Sequence, residues 1–276
     1  MSSYVTGPTS DTSLSPLESI ETEKVPSKPD LFSCLPDGAF AKIVDYLSFP
    51  VAQTSLSKAS KRLHNLLVGK DNIKPLLSSK LNLQSYRRIT DNNLRVLIGI
   101  PLRHLLLPAD TELSDIGLRY LSYFPLRRLV LARLKITGSG LAYLPNTIKG
   151  LSLYKCHNIL DRELVHLSRL FRLEVLYLDG VKVENERLRD LENLPLKELY
   201  LNECEVSDAG IRYLLGLNLK KLTLSRCQVT NIGIRQLSQI PSLKSLTLYN
   251  SIHVNKAGVR ALKQAAPELS IRFFSL

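Results

Sequence analysis

The sequence predicts an α/β solenoid with a curved parallel sheet and outer helices, preceded by a small all-α domain. The first observation is a string of the form LxxLxL, such as LRRLVL at residue 126, which recurs seven times at start-to-start distances of 22 to 25 residues. The second is another string, such as LSDIGLRYL at residue 113, which recurs with the same period. The third is that residues 31–70 lack both strings and space their apolar residues as helices do. Two linked motifs at one period predict stacked, similar units.

The chain divides into three segments. Residues 1–30 are rich in Ser, Thr, Pro and Glu and have almost no periodic apolar residues, so we expect a disordered tail. Residues 31–70 are predicted to form two short amphipathic helices, and residues 71–276 about eight repeats. The formal net charge is +12, while residues 1–30 hold two basic and five acidic residues. The basicity therefore belongs to the predicted folded part.

The LxxLxL strings are predicted to be short strands. Side chains alternate between the two faces of a strand, so the leucines at the fourth and sixth positions point inward and their neighbours point outward. The copies begin at residues 102, 126, 148, 173, 196, 219 and 243. Weaker copies are predicted at Leu81 and Leu83 and, at the other end, at Leu269, Ile271 and Phe273.

The second string is predicted to be a helix in each unit. A Thr, Ser or Asn at its start is expected to cap the helix, and Leu or Ile three to four residues apart should pack against the strands. Five units place glycine early in this helix, where glycine weakens helix propensity. We therefore expect a close approach of the neighbouring backbone at Gly117, Gly140, Gly210, Gly233 and Gly258.

The two strings and their spacing resemble those of leucine-rich-repeat proteins, whose period is roughly 20 to 29 residues. The resemblance implies a leucine-rich-repeat solenoid in which no unit is stable alone and neighbours supply the missing burial. Three cysteines each follow the last strand leucine by three residues, where the cysteine-containing subtype packs a small buried residue. Burial, rather than thiol chemistry, is expected for Cys156, Cys204 and Cys227.

Residues 35–67, LPDGAFAKIVDYLSFPVAQTSLSKASKRLHNLL, resemble an F-box: Leu-Pro, an aliphatic pair ahead of Tyr-Leu, then Ser-Lys-x-Ser-Lys-Arg-x-x-x-Leu. Gly38 and Leu63 depart from the family's usual residues. Together with the repeats, the segment is similar to the F-box and leucine-rich-repeat proteins, which are substrate receptors of cullin-based ubiquitin ligases. The resemblance implies a helix-in-groove contact with a Skp-type adaptor, and through it a cullin, made by Leu35, Pro36, Phe40, Ile43, Val44 and Leu47.

The alternative is that these N-terminal helices only cap the first repeat. The protein would then be a leucine-rich-repeat binding scaffold or inhibitor, since terminal repeats need a cover. In either case the outward strand residues are expected to hold a target protein on the concave face. The candidate target-binding residues are Arg128, Arg133, Tyr154, Lys155, Tyr177, Asp179, Tyr200, Asn202, Glu203, Arg226 and Tyr249.

Two features of this set bear on the kind of partner. Tyr154, Tyr177, Tyr200 and Tyr249 are predicted to form a discontinuous aromatic stripe, which is typical of recognition surfaces. Charge is predicted to be banded: basic in the units at 126 and 148, acidic at 173 and 196, and basic again at 219 and 243. A phosphate backbone would favour an unbroken basic track, so we expect a protein partner and no nucleic acid. Electrostatic binding to nucleic acid or anionic membranes is the further alternative.

The sequence does not predict an enzyme. The five histidines are scattered, and no HExxH, GxSxG or glycine-rich phosphate loop occurs. Cys34 has no nearby His or acid, which disfavours a ligase nucleophile. No cofactor, metal site or membrane span is expected. The first residues lack a Sec-type signal, so we expect a cytoplasmic protein, with the nucleus as a second location or, for an exported bacterial effector, the host cytoplasm.

Overall fold

The computed structural model describes residues 80–82, 89–96, 98, 102–109 and 111–274. The predicted tail (1–30), the F-box-like segment (31–70), Cys34 and the adaptor-binding set Leu35, Pro36, Phe40, Ile43, Val44 and Leu47 lie outside the described residues. The described part contains one sheet of nine parallel strands that pair in chain order. Each strand therefore contacts the strand of the next unit, which is the architecture of a solenoid.

The strands confirm the predicted positions, including the weak copies at both ends. They are β1 (Lys80–Asn82), β2 (His104–Leu106), β3 (Arg128–Ala132), β4 (Gly150–Tyr154), β5 (Val175–Tyr177), β6 (Glu198–Asn202), β7 (Lys221–Ser225), β8 (Ser245–Tyr249) and β9 (Ser270–Phe274). The pairing keeps one register, in which equivalent leucines of successive units face each other. Leu105, Leu129 and Leu151 are each no more than 1% exposed. Each such leucine contributes about 1.5–3 kcal/mol through burial, which none would gain in an isolated unit.

The opposite side of each unit carries a helix, and five of these are α-helical. They are α1 (Asp91–Val96), α2 (Asp115–Tyr120), α3 (Asp208–Ile211), α4 (Asn231–Gln236) and α5 (Lys256–Ala265). The predicted caps are confirmed at three of them. The side chains of Ser114 and Thr230 each accept a hydrogen bond from the backbone N–H two residues later. The Asn255 side chain accepts one from the backbone N–H three residues later.

The predicted side-chain cap is absent in four consecutive units, and in three of them the helix is a 3-10 helix. Residues Ser139–Tyr143, Asp161–Arg169 and Asn185–Leu191 form 3-10 helices. The residues that precede them are Gly138, Leu160 and Glu184, and none makes a side-chain cap. Ser207, which precedes α3, makes no side-chain cap either, so a missing cap does not by itself produce a 3-10 helix. At the start of Ser139–Tyr143, the Gly140 N–H donates to Oδ1 of Asp115 in the preceding unit.

The cysteines are buried as predicted. Each thiol donates a weak hydrogen bond to a carbonyl of the preceding unit: Cys156 to Leu131, Cys204 to Leu178 and Cys227 to Leu201. Burial raises the pKa of Cys156 and of Cys227 to about 11 and raises that of Cys204 further. Ser251 fills the same position in the next unit and donates to Leu224. These thiols are packing groups.

The glycines at the helix starts are close to a neighbouring side chain more often than to backbone, which corrects the prediction. An Asp or Asn at the start of one unit's helix accepts the backbone N–H of the residue that begins the helix of the next unit. The pairs are Asp91 with Ser114, Asp115 with Thr137, Asp161 with Glu184, Asn185 with Ser207, Asp208 with Thr230 and Asn231 with Asn255. We call this series the Asx ladder.

The Asx ladder explains where glycine is needed. A Cβ at Gly117, Gly233 or Gly258 would lie 1.9 to 2.1 Å from an oxygen of the ladder residue of the preceding unit. Only at Gly140 is the nearest atom a backbone oxygen, that of Asp115. Gly138 replaces the ladder residue in its own unit, and the next unit has Glu163 where others have glycine. In this pair of units the glycine is therefore at the ladder position, Gly138, and the larger residue, Glu163, is in the next helix.

Candidate protein-binding face

The outward side of the sheet forms a continuous face, called the strand face here. It consists of the first, third and fifth residues of each strand and the residue after the strand. The register places equivalent positions in rows across the sheet. The first row runs through Lys80, His104, Arg128, Gly150, Val175, Glu198, Lys221, Ser245 and Ser270, and the third through Val130, Ser152, Tyr177, Tyr200, Thr223, Thr247 and Arg272.

Two of the four predicted tyrosines form a stacked pair. The ring centroids of Tyr177 and Tyr200 are 4.0 Å apart and the ring planes differ by 10°. The Tyr200 hydroxyl donates to Glu198 at 2.7 Å, and the Lys221 ammonium lies 5.1 Å from the Tyr200 ring centroid. Burial, then the neighbouring Tyr177 and Glu198, raises the pKa of Tyr200. The pair is a rigid aromatic platform, fixed at one end by a hydrogen bond.

The other two tyrosines lie in a different row, so the four residues predicted as a discontinuous stripe are divided between two rows. Tyr154 and Tyr249 follow the last leucine of their strands, in the fifth row, and are 39% and 46% exposed. Tyr249 contacts Phe274, with ring centroids 6.2 Å apart. The sequence contains the signal for this difference, since tyrosine lies between the leucines in LEVLYL but after them in IKGLSLY.

The predicted acidic band is largely neutralised by flanking units. Glu174 binds Lys149 at 2.8 Å and Lys197 at 2.6 Å. These two hydrogen-bonded ammonium groups lower the pKa of Glu174 to about 2. Glu203 pairs with Arg226 at 2.8 Å. Alternating charge therefore joins neighbouring units to each other, in addition to any role in binding.

Asp179 does not present its carboxylate to solvent, contrary to its prediction as a target contact. The residue is 7% exposed, and its carboxylate accepts a hydrogen bond from the Asn202 side chain. Burial raises the pKa of Asp179 from its ordinary value. The hydrogen bond between Asp179 and Asn202 joins the end of β6 to the residue that follows β5. The other residues of the predicted target-binding set are exposed or partly exposed.

Four charged residues of that set leave their strands in the left-handed backbone region. They are Arg133, Lys155, Glu203 and Arg226, with φ between 52° and 58°, and Asn250 follows the same pattern. Each N–H donates to a carbonyl of the next unit, as from Lys155 to Asp179 at 2.7 Å. A non-glycine residue in this region costs roughly 1–2 kcal/mol. The ladder of hydrogen bonds offsets this cost and fixes the direction of these side chains along one edge of the strand face.

A pocket of about 300 Å³ opens on the strand face across β3, β4 and β5. Its lining includes Arg128, Val130, Gly150, Ser152, Val175 and Tyr177. Of these, Arg128 and Tyr177 were predicted as part of the candidate site, whereas the pocket between them was not. The sequence feature that indicates the pocket is the glycine of IKGLSL, because it leaves a gap in the first row.

The described residues contain no group of three or more His, Cys, Asp and Glu side chains placed to hold a metal ion. Within the same residues, no helix has the length and hydropathy to cross a membrane.

No protein-family model matches the chain, and no curated protein matches it. Solved structures do match. Internalin C2 of Listeria monocytogenes has 20% identity and a TM-score of 0.57, over 88% of this chain and 95% of that one. The internalin inlF of the same organism has 19% identity and a TM-score of 0.59, over 89% of this chain and 71% of that one.

A third solved structure is the complex of Rad7 and Elc1 in yeast. It matches with 19% identity and a TM-score of 0.54, over 66% of this chain and 50% of that one. At these identities the matches show the fold alone. That fold is the leucine-rich-repeat solenoid.

Proposed function

We propose that the chain is a non-catalytic recognition subunit that holds a target protein on the strand face. The observation that carries this proposal is the Tyr177–Tyr200 platform, which lies at the middle of the sheet beside Glu198 and Lys221. Tyrosine combines a large apolar area with a hydroxyl and is enriched where proteins bind other proteins. Because the two rings are already stacked, little side-chain entropy is lost when a partner covers them.

The finer proposal concerns what the bound target is joined to. The resemblance of residues 35–67 to an F-box supports a link to a Skp-type adaptor and, through it, to a cullin ubiquitin ligase. The contacts would come from Leu35, Pro36, Phe40, Ile43, Val44 and Leu47. One solved structure of similar fold is a complex of two proteins, Rad7 and Elc1, which is consistent with a solenoid as one subunit of an assembly. On this proposal the protein works in the cytoplasm.

A separation-of-function experiment tests both halves. The full chain is co-expressed with a Skp-type adaptor and purified, and proteins retained from cytosol are quantified by mass spectrometry. Leu35→Ala with Pro36→Ala should lose the adaptor and keep the retained proteins. Tyr177→Ala with Tyr200→Ala should do the reverse, with circular dichroism confirming that both variants are folded.

Two results would contradict the proposal. If the wild-type chain forms no complex with the adaptor, the ubiquitin-ligase link fails. If the tyrosine variant retains the same proteins as the wild type, the strand face is not the target site.

The alternative function is a binding scaffold or inhibitor whose N-terminal helices only cap the solenoid. The observation that favours it is at the first edge of the sheet. Leu81 on β1 is 1% exposed, whereas Ile271 in the same row on β9 is only partly buried. An edge strand whose core side is covered is what a cap would produce. Under this alternative, retained proteins depend on Tyr177 and Tyr200 while adaptor binding is absent.

A further inference from the structure

The pocket across β3, β4 and β5, called the Gly150 pocket here, is open because one row position has no side chain. A Cβ added at Gly150 would lie 3.4 Å from Cγ of Arg128, an ordinary contact. The φ of Gly150 is not in the left-handed region. Neither packing nor backbone therefore requires glycine at this position, unlike at Gly233 or Gly258. What glycine does here is to leave a cavity between Arg128 and Tyr177.

One wall of the Gly150 pocket is cationic. Arg128 lies in the same row as His104, whose pKa is lowered first by burial and then by Arg128, Lys80, Arg127 and Arg103. Four cations therefore surround this end of the strand face. Arg103, Arg127 and Arg128 are exposed and form no ion pair with any residue in the described ranges.

This distinguishes them from three other cations in or beside the strands. Lys149 and Lys197 are held by Glu174, and Arg226 by Glu203. Positive charge that is already neutralised contributes little to the binding of an anion, whereas the arginines beside the pocket keep theirs.

The remaining walls are mostly apolar. Val130 and Val175 lie on either side, and Tyr177 closes the far side, held in place by its stacking on Tyr200. Ser152 contributes a hydroxyl at the floor. A volume of about 300 Å³ is at the small end of pockets that hold whole ligands, which span roughly 300–1,000 Å³. It suits side chains of a protein better than a complete small molecule.

We propose that the Gly150 pocket docks an acidic segment of the target protein in which Asp or Glu lies close to an aliphatic residue. The carboxylate pairs with Arg128, where a planar guanidinium offers two parallel donors. The aliphatic side chain packs on Val130, Val175 and the Tyr177 ring. This inference rests on the proposed function of the strand face and names the chemistry of the element it recognises.

A nucleic acid fits the same surface less well. Along the first row the cations give way to Gly150 and Val175 and then to Glu198. A phosphate backbone that followed this row would leave the basic end and meet a carboxylate. A short acidic segment needs only the region between Arg128 and Tyr177.

The test measures the full chain by fluorescence anisotropy against an array of short labelled peptides. Each peptide carries one Glu and one Leu in a Gly-Ser background, and the array varies their order and spacing. Matched peptides replace Glu by Gln or Leu by Ser. We expect the Glu-Leu peptides to bind, and both replacements to weaken binding.

Two variants and two controls locate the site. Gly150→Val places a side chain in the pocket, and its Cβ contacts only the Arg128 side chain. Arg128→Ala removes the cationic wall, and each variant should weaken binding about tenfold. Ser245→Val alters the same row on β8, and Arg272→Ala removes an exposed arginine on β9. Both controls should bind as the wild type does.

The proposal is overturned if no peptide of the array binds, or if Gly150→Val and Arg128→Ala bind as the wild type does. It is also overturned if a single-stranded oligonucleotide or phosphatidylserine vesicles bind more tightly than every peptide and depend on Arg128. The retained-protein experiment distinguishes a failure of the pocket proposal from a failure of the proposed function of the strand face. If Tyr177→Ala with Tyr200→Ala loses the target while the pocket variants keep it, the pocket is wrong and the strand face stands.

Discussion

Replacing Gly233 by alanine should destabilise the protein although alanine is the better helix former. The new Cβ would lie 2.1 Å from Oδ1 of Asp208, which must then move. In the wild type that carboxylate accepts from Thr230 N at 2.8 Å and from Thr230 Oγ1 at 2.6 Å. Hydrogen bonds to a charged group contribute roughly 1.5–3 kcal/mol. The helix gains about 0.5–1 kcal/mol from Gly→Ala. The net loss should be about 1–2 kcal/mol.

A double-mutant cycle decides whether the Asx ladder is the reason. In an Asp208→Ala background the hydrogen bonds are already lost, so Gly233→Ala should no longer destabilise and should gain up to about 1 kcal/mol. Val229, whose Cγ1 would lie 2.9 Å from the new Cβ, reduces this gain because it must also shift. The expected result is therefore a change of sign between the two backgrounds.

Urea unfolding followed by circular dichroism measures each free energy, with a constant slope as the check on cooperative behaviour. Gly216→Ala is the matched control, since no heavy atom lies within 4 Å of its new Cβ. It should be neutral or stabilising by a few tenths of a kcal/mol. Equal costs of Gly233→Ala in both backgrounds would refute the role assigned to Asp208.

Three further outcomes are expected. Because the pKa of Glu174 is lowered to about 2, its ion pairs stabilise the protein above its ordinary value of 4.5 and are lost as pH falls toward 2. In urea titrations, the difference in unfolding free energy between wild type and Glu174→Gln should be about 1 kcal/mol at neutral pH and low salt. The same difference should vanish near pH 2. A difference that does not change with pH would contradict the pairing. Lys155→Gly should raise the thermal midpoint, since glycine adopts the left-handed region without strain, and a lowered midpoint would show that the lysine side chain stabilises more than its backbone costs. Iodoacetamide should label the buried thiols of Cys156, Cys204 and Cys227 only after denaturation, as mapped by mass spectrometry. Labelling of these thiols in the native chain would contradict their burial.

The fold was predictable because each unit repeats the same local information. Leucine spacing within LxxLxL gives the inward face, and the period gives parallel pairing of successive units. The caps Ser114 and Thr230 were predictable from residue type alone, as was the burial of the cysteines. The 3-10 helices were missed because the helix was assumed to repeat as faithfully as the strand. Gly138, Leu160 and Glu184 each lack the cap that the assumption required.

The candidate site was predictable in its residues and less so in its contacts. The sequence placed Tyr177, Tyr200 and Arg128 on the outward side, where they are found. It did not indicate that Asp179 turns into a hydrogen bond with Asn202, or that Glu174 joins two lysines, since both depend on distances between units. The adaptor-binding set from Leu35 to Leu47 stays a prediction.

The sequence by itself determined the solenoid, the positions of its strands and the side of each strand that faces solvent, because these follow from alternation and period along one chain. Only the tertiary structure decided which outward groups neutralise each other, which tyrosines stack and where Gly150 leaves a cavity. The physical reason is that such contacts join residues about one repeat apart across the sheet. Their energies depend on separations of a few ångströms that strand register and backbone direction set together.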